Sequence, residues 1–318
     1  MSLPEAFVER LGNIVPREQL ESIIHTFDAP KQVTFRVNTL KSTPEELEAE
    51  LESAKIPYEK VGWETPFMEG VYRIAPEDKL RLTSSDAFYG GRLYIQNLAS
   101  MIAPWILAPR PEETVLDLAA APGGKTLMLA GMMENTGWLS AVELSRERFF
   151  RLRDNLSSQG VTNAHTYMTD GRSVGKKCPE MFDRILLDAP CSSEARFKTH
   201  EPKSMSFWTI HKVKETSKLQ RRLLLSAFDA LKPGGKLLYC TCSFSPEENE
   251  SPLQHLLERH GEHLTTIPLT LPFDNIQKPL QRWGKEVFDE RIQNGVRILP
   301  TDTIDGFFLC LLEKIKTN

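Results

Sequence analysis

Two runs of the chain end an apolar stretch with cysteine. "ILLDAPCSS" carries Asp188 and Cys191, and "LLYCTCSFSPEENE" carries Cys240 and Cys242. Thiols at such places can pack inertly, ligate a metal or attack a substrate as thiolates. Cys240 and Cys242 are separated by a single residue, and no neighbouring Cys or His pair completes a zinc set, so no metal is expected. On a strand, residues i and i+2 share a side, and further ligands would have to come from afar. A Cys191–Cys242 disulfide remains an alternative, disfavoured in a reducing compartment. Cys178, Cys240 and Cys310 suit inert burial, whereas Cys242, at a strand exit, suits reactivity.

A second cluster lies upstream. "DLAAAPGGKT" runs from Asp117 to Thr126. Ala119, Ala120 and Ala121 leave room for a ligand against the backbone, and Gly123 and Gly124 permit a tight turn into a helix whose free amides face that ligand. The spacing matches neither a P-loop nor GxGxxG, and a plain strand-to-helix turn is the rival reading. Glu143 ends the next strand, where a carboxylate can hold ribose hydroxyls. Asp170 ends the one after and could meet a base-edge amine. Each acid alone could equally be a solvated cap. Taken in order, these strand ends favour a cofactor containing adenosine.

The elements that must position these residues alternate. "TVLDLAAAPGGKTLMLAGMM" and "WLSAVELSRERFFRLRDNLSSQG" each read strand, turn, helix. "HTYMTDG", "FDRILLDAP" and "KLLYCTC" read as strands, with a helix over "SKLQRRLLLSAFDAL". The pattern predicts a parallel sheet covered on both faces, with ligands at the carboxyl ends of the strands. Upstream the chain is mixed. Leu3–Leu11 and Gln19–Phe27 read as helices, "KQVTFRVNTL" alternates as a strand, and Val71–Ile74 reads as another. "TPEELEAELESA" reads as a helix with Thr43 at its N-cap, Pro44 in its first turn and Glu46 placed for a capping box. We expect a small N-terminal α/β domain over residues 1–85 and the main domain over residues 86–318.

Bulk properties set limits. The chain has 318 residues, 40% hydrophobic and 26% charged, with 39 basic and 43 acidic side chains for a net charge of −4. This describes a globular protein without a basic coat, though not without a local basic groove. "GFFLCLL" is too short for a membrane span, and the start lacks a signal-like apolar core. Five cysteines are too few and too odd for a disulfide framework, which points to the cytoplasm.

The motifs "DLAAAPGGKT", "LLDAPCSS", "TCSFSPEENE" and "DGFFLCLLEK", with "FRVNTLK" and "YIQNLASM" upstream, resemble the NOL1/NOP2/Sun family of RNA cytosine-C5 methyltransferases, in its RsmB/RsmF-like form. The resemblance covers roughly residue 30 to the end. It implies a Rossmann-like class I methyltransferase, with a mostly parallel seven-stranded sheet and helices on both faces. It also implies S-adenosylmethionine as cofactor and ribosomal or transfer RNA as substrate. By it, Cys242 is the nucleophile that adds to C6 of cytosine, and Cys191 serves the later release of the C5 proton and of the thiolate. Asp188 would hydrogen-bond the cytosine edge, and Lys125 would lie near the centre. Ala119, Ala120, Ala121, Pro122, Gly123, Gly124 and Lys125 would line the methionine and ribose of the cofactor. Glu143 would hold the ribose, Asp170 the adenine side, and Asp188 would touch both cofactor and base. The family usually follows its Pro-Cys motif with Ser-Gly and a second glycine, whereas this chain has Ser193 and Ala195 there. That departure bears on target choice more than on chemistry.

For RNA contact, residues 194–222 are locally basic and interleave Phe197, Phe207 and Trp208. Arg196, Lys198, Lys203 and Lys212 are the expected phosphate contacts, and a solvated helix face is the rival. Arg36 and Asn38 would either touch RNA or brace the small domain. Trp138 and Trp283 are expected in the core, and the protein is expected to be a monomer. Two other functions stay in view: a non-catalytic RNA-binding or ribosome-assembly factor on the same fold, and a DNA cytosine methyltransferase.

Overall fold

A computed structural model describes residues 2–62 and 69–316. The small unit is a four-stranded antiparallel sheet in the order Glu59–Lys60, Val71–Ile74, Val33–Val37, Leu93–Ile95. Its last strand lies past residue 85. The helix Pro44–Ser53 opens with the expected capping box. Thr43 accepts from the Glu46 amide at 3.3 Å, and the Glu46 carboxylate accepts from the Thr43 amide at 3.0 Å. Leu47 and Leu51 pack from this helix onto Phe35, Val37 and Tyr72.

The alternation in "VTFRV" predicts one apolar and one wet face, yet both are buried. Thr34 donates to the Gln96 carbonyl at 2.6 Å, and Arg36 reaches the Gly124 carbonyl at 3.3 Å. The polar face of the small sheet thus docks on the glycine loop of the large unit. Arg36 also donates to Gln96 Oε1 at 3.1 Å, and Asn38 donates to the Gly91 and Gln159 carbonyls at 2.8 Å each. The buried Arg36 and Asn38 side chains thus take part in bracing the small unit, the second of the two expected roles.

The main sheet has nine strands. The path runs Ile276–Gln277, Val296–Ile298, Phe307–Lys314, Leu231–Thr241, Phe182–Asp188, Thr114–Asp117, Trp138–Val142, Ala164–Tyr167, and Leu264–Ile267 pairs with Phe307–Lys314 off that path. The strands from Leu231–Thr241 to Ala164–Tyr167 are parallel. The remainder is antiparallel, so the sheet is more mixed, and larger by two short strands, than expected from sequence. For Val296–Ile298 and Phe307–Lys314 the cause is connection length: parallel neighbours need a crossover, and the loop that joins these two is too short to hold one. "GFFLCLL" lies in that last strand.

Both faces of the central strands are apolar, as a doubly covered sheet requires. Leu186, Leu238 and Leu309 pack toward the helices Leu98–Leu107 and Gly124–Met132. Their neighbours Leu187, Leu237 and Phe308 face the opposite way, in the core that holds Leu224 and Leu253 of helices Ile210–Ala230 and Glu250–His260. Trp138 departs from expectation. It is 41% exposed and stacks on His165 at 3.6 Å. Asp117, Glu143, Asp170, Asp188 and Cys242 all fall at or just past the carboxyl ends of parallel strands.

Candidate active site

At those ends lies a cavity of about 500 Å³, lined among others by Asp117, Ala119, Lys125, Asp188, Cys191 and Cys242. Ala120, Ala121, Pro122, Gly124, Ser193 and Arg196 complete much of the wall. A larger cleft of about 970 Å³ opens beside Arg36 and Arg110 but carries none of the cysteines.

Cys242 is 7% exposed, and its sulfur stands 3.2 Å from that of Cys191. All five cysteines are free thiols. The contact with Cys191 is the main cause that brings the Cys242 thiol down to about 7. Burial opposes it, and Arg196 and Ser193 add to it. Cys191 moves well upward, because its S–H is held by Cys242 and its site is buried. One sulfur is therefore poised as thiolate and the other as thiol. Cys240 is fully buried on the same strand, and burial raises its thiol.

Two buried carboxylates fix the loops that carry this pair. Glu194 accepts from the amides of Phe244 and Ser245 at 2.8 and 2.9 Å and from the Ser243 hydroxyl at 2.9 Å. Its other oxygen accepts from the Ser245 hydroxyl at 2.7 Å and the Trp208 indole at 2.8 Å. The turn after Cys242 is thus wrapped around a single carboxylate. The Ala195 amide, donating at 3.1 Å, holds the Cys242 carbonyl.

Glu248 does the same for the Cys191 loop, accepting from the Ser192 amide at 2.9 Å and from the Ser192 hydroxyl. Burial, with Glu194 nearby, pushes its carboxyl from 4.5 up to about 8. Between these values the folded chain holds a proton that the unfolded chain has released. Stability from this group is therefore full at acid pH and falls as pH rises through the window. Glu248→Gln mimics the neutral acid. Its stability relative to wild type is expected to improve by on the order of 2–3 kcal/mol between pH 5 and pH 8, read by urea unfolding at both. An equal difference at the two pH values would remove this titration from Glu248.

Lys125 rises from the first turn of helix Gly124–Met132 and meets Asp188 Oδ2 at 2.6 Å and the Ser100 hydroxyl at 3.3 Å. Burial disfavours its charge, but Asp188 outweighs burial and the ammonium is held above its ordinary value. The second Asp188 oxygen faces the Cys240 thiol at 3.7 Å.

The glycine loop is tight for a physical reason. A side chain on Gly124 would stand 2.8 Å from the Tyr94 ring, and Gly123 has φ +111°. Asp117, 1% exposed, accepts from Thr126 at 2.7 Å through one oxygen, while the other is buried without a partner. Burial lifts its carboxyl to about 6. Glu143 accepts from the Ser145 amide at 2.8 Å, and its second oxygen lies 3.1 Å from Arg148 outside hydrogen-bond geometry. Arg148 donates to the Ala121 carbonyl at 2.6 Å and so ties Glu143 to the loop. An unspent Asp117 acceptor on a wall of small residues, with the Glu143 carboxylate tied to that wall through Arg148, fits a ligand with amine and hydroxyl donors.

Several expected residues sit apart from this wall. Glu143 and Asp170 stand at the next strand ends, and Asp170 is occupied by a two-pronged pair with Arg172, at 2.9 Å from Nε to each oxygen. Arg196 lines the cavity while staying exposed, so it stands where the cavity meets the outer surface. Lys198 pairs with Glu201 at 2.9 Å and Lys212 with Glu215 at 3.1 Å, both at the exposed surface with Lys203. Of the interleaved aromatics, Phe197 is buried, Trp208 is anchored on Glu194, and Phe207 is 86% exposed. Sequence reasoning passed over Arg148, Asp117 and Glu248. Arg148 had a signal, since it lies in the first turn of the helix that follows Glu143.

Residues 104–313 match the family model for 16S rRNA methyltransferase RsmB/F, and residues 3–98 match that for the N-terminal domain of 16S rRNA methyltransferase RsmF. The chain is 35% identical to the Ribosomal RNA small subunit methyltransferase F of Aliivibrio fischeri over 98% of its own length and 64% of that relative's. It therefore spans somewhat less than two thirds of that protein. It is 34% identical to the tRNA (cytosine(49)-C(5))-methyltransferase of Pyrococcus abyssi, covering 96% of this chain and 95% of that one. A solved structure of a methyltransferase homolog protein from Pyrococcus horikoshii superposes with a TM-score of 0.82 at 32% identity, covering 98% and 96% of the two chains. With the cysteine pair on the cavity wall and this likeness along nearly its whole length, the chain belongs to the RsmB/F family, the RsmB/RsmF-like members of the NOL1/NOP2/Sun RNA cytosine-C5 methyltransferases.

Proposed function

We propose that this protein methylates C5 of cytosine in ribosomal or transfer RNA, with S-adenosylmethionine as methyl donor. The observation that carries the reading is the pair of sulfurs 3.2 Å apart on the wall of a cavity that also holds an unspent Asp117 oxygen. When bound, S-adenosylmethionine supplies the methyl group that C5 receives. Asp117 and Glu143 would hold its donors, and the Ala119–Gly124 loop would lie against it.

The chain's own residues do the rest. The Cys242 thiolate forms the S–C6 bond, and its electrons make C5 nucleophilic. Arg196 and the Cys191 S–H stabilise that thiolate before attack. The Asp188–Lys125 pair lies across the same cavity, where its charges can hold the cytosine edge and the charge that develops on the ring. Once C5 carries the methyl, its proton must leave and the S–C6 bond must break. With Cys242 bonded to C6, the contact that held the Cys191 proton is gone. Cys191 gives that proton to solvent and, as thiolate, takes the C5 proton, whose electron pair re-forms the C5–C6 double bond while the S–C6 bond breaks and Cys242 leaves as thiolate. A base stacked inside structured RNA must first be turned out to reach the pocket.

The same reading makes the protein a cytoplasmic monomer, with the small N-terminal unit and the basic surface around Lys203 and Phe207 taking up RNA. Digestion of RNA after incubation with labelled S-adenosylmethionine tests the chemistry. The label should run with 5-methylcytidine, and label in any other nucleoside, or in DNA in preference to RNA, would overturn it. Competition between ribosomal and transfer RNA transcripts separates the two substrates. By calorimetry, Glu143→Ala should weaken S-adenosylmethionine binding about tenfold or more, and unchanged affinity would remove that role.

A further inference from the structure

Ser193 stands in a backbone conformation made for glycine. Its φ of +58° and ψ of 30° lie in the left-handed region, which L residues with a side chain enter at a cost. The motif this chain resembles has glycine here, so the strain comes with a side chain that the turn itself does not need. That side chain points somewhere definite. Its hydroxyl lies 3.7 Å from Cys242 Sγ and accepts the thiol hydrogen, and it makes no other hydrogen bond among the described residues. Ser193 also lines the cavity.

We propose that the Ser193 hydroxyl holds the Cys242 sulfur in place and stabilises its thiolate, a contribution that glycine cannot make. Once the thiol loses its proton, rotation about the Cβ–Oγ bond turns the same hydroxyl from acceptor to donor. The charges already facing Cys242 are mixed. Arg196 and the Cys191 S–H favour the thiolate, while Asp188 opposes it. Lys125 is largely spent on Asp188, Cys240 is buried on the same strand, and Glu194 and Glu248 lie beneath the flanking turns. A neutral donor adds to the favourable side without a further charge to bury.

The inference rests on Cys242 being the nucleophile, but its test uses no RNA and so fails separately. The full chain is treated with iodoacetamide across a pH series, and labelling of the Cys242 peptide is followed by mass spectrometry. In both Ser193→Ala and Ser193→Gly the labelling midpoint should rise by about half a pH unit, with labelling at pH 7 slowed roughly twofold. Ser193→Gly, relieved of strain, should melt no lower than wild type. A structural role alone would move the melting temperature and leave the midpoint in place. An unchanged midpoint in either variant overturns the proposal, and so does a shift in Ser193→Gly without one in Ser193→Ala, which would assign the effect to the backbone.

Discussion

Cys242→Ala is expected to form no covalent complex with RNA containing 5-azacytosine and to lose methyl transfer by at least ~10⁴-fold. The size follows from what the sulfur supplies. Cytosine C5 does not attack a methyl group until C6 carries an adduct, and Cys242 is the thiol whose surroundings favour the thiolate. Cys240 is fully buried and its thiol is raised by burial, and Cys191 is raised by the contact that lowers Cys242. Cys191→Ala should behave differently, forming the adduct but releasing product slowly. A gel of the RNA–protein complex under denaturing conditions distinguishes the two. Adduct formation by Cys242→Ala would exchange the roles of the two thiols.

The second large effect is on folding. Glu194→Ala should cost about 4 kcal/mol or more, measured by urea unfolding. The carboxylate accepts five hydrogen bonds, and without it the buried Phe244 amide loses its acceptor, the Ser245 amide keeps only the Ser243 hydroxyl, and the half-buried Trp208 indole is released. Glu194→Gln should cost less, because the amide oxygen keeps some of these bonds. Both should slow catalysis beyond their effect on the folded fraction, since the turn they hold begins at Cys242. A loss under about 1 kcal/mol for the alanine variant would mean that water or a local shift replaces the carboxylate readily.

Much of this was legible in the sequence because it is written in local patterns. Thr43, Pro44 and Glu46 spell a capping box, and the strands ending at Asp117, Asp188 and Cys242 are marked by apolar runs that stop at polar residues. Cys242 and Cys191 were legible as a pair only through the motifs that contain them, since 51 positions separate them in sequence and parallel strands bring them together. Nothing local marks Glu194 and Glu248, because the groups that bury them come from distant parts of the chain. For Arg36 the sequence left RNA contact and bracing open because it shows charge but not direction; the side chain reaches into the seam between the units, and Arg196 lines the cavity. Trp138 looked apolar enough for a core, yet its place at the start of a strand leaves one face open for His165. The antiparallel end of the sheet was hidden because Phe307–Lys314 pairs with Leu231–Thr241 across a long stretch that includes helix Glu250–His260, and no local pattern marks that pairing.

The most direct measurement is to identify which cysteine carries the base. Wild type and Cys191→Ala are trapped on RNA containing 5-azacytosine, digested, and the cross-linked peptide is sequenced by mass spectrometry. The nucleotide should sit on Cys242 in both proteins. A cross-link on Cys191, or on any other residue, would contradict the assignment on which the mechanism rests.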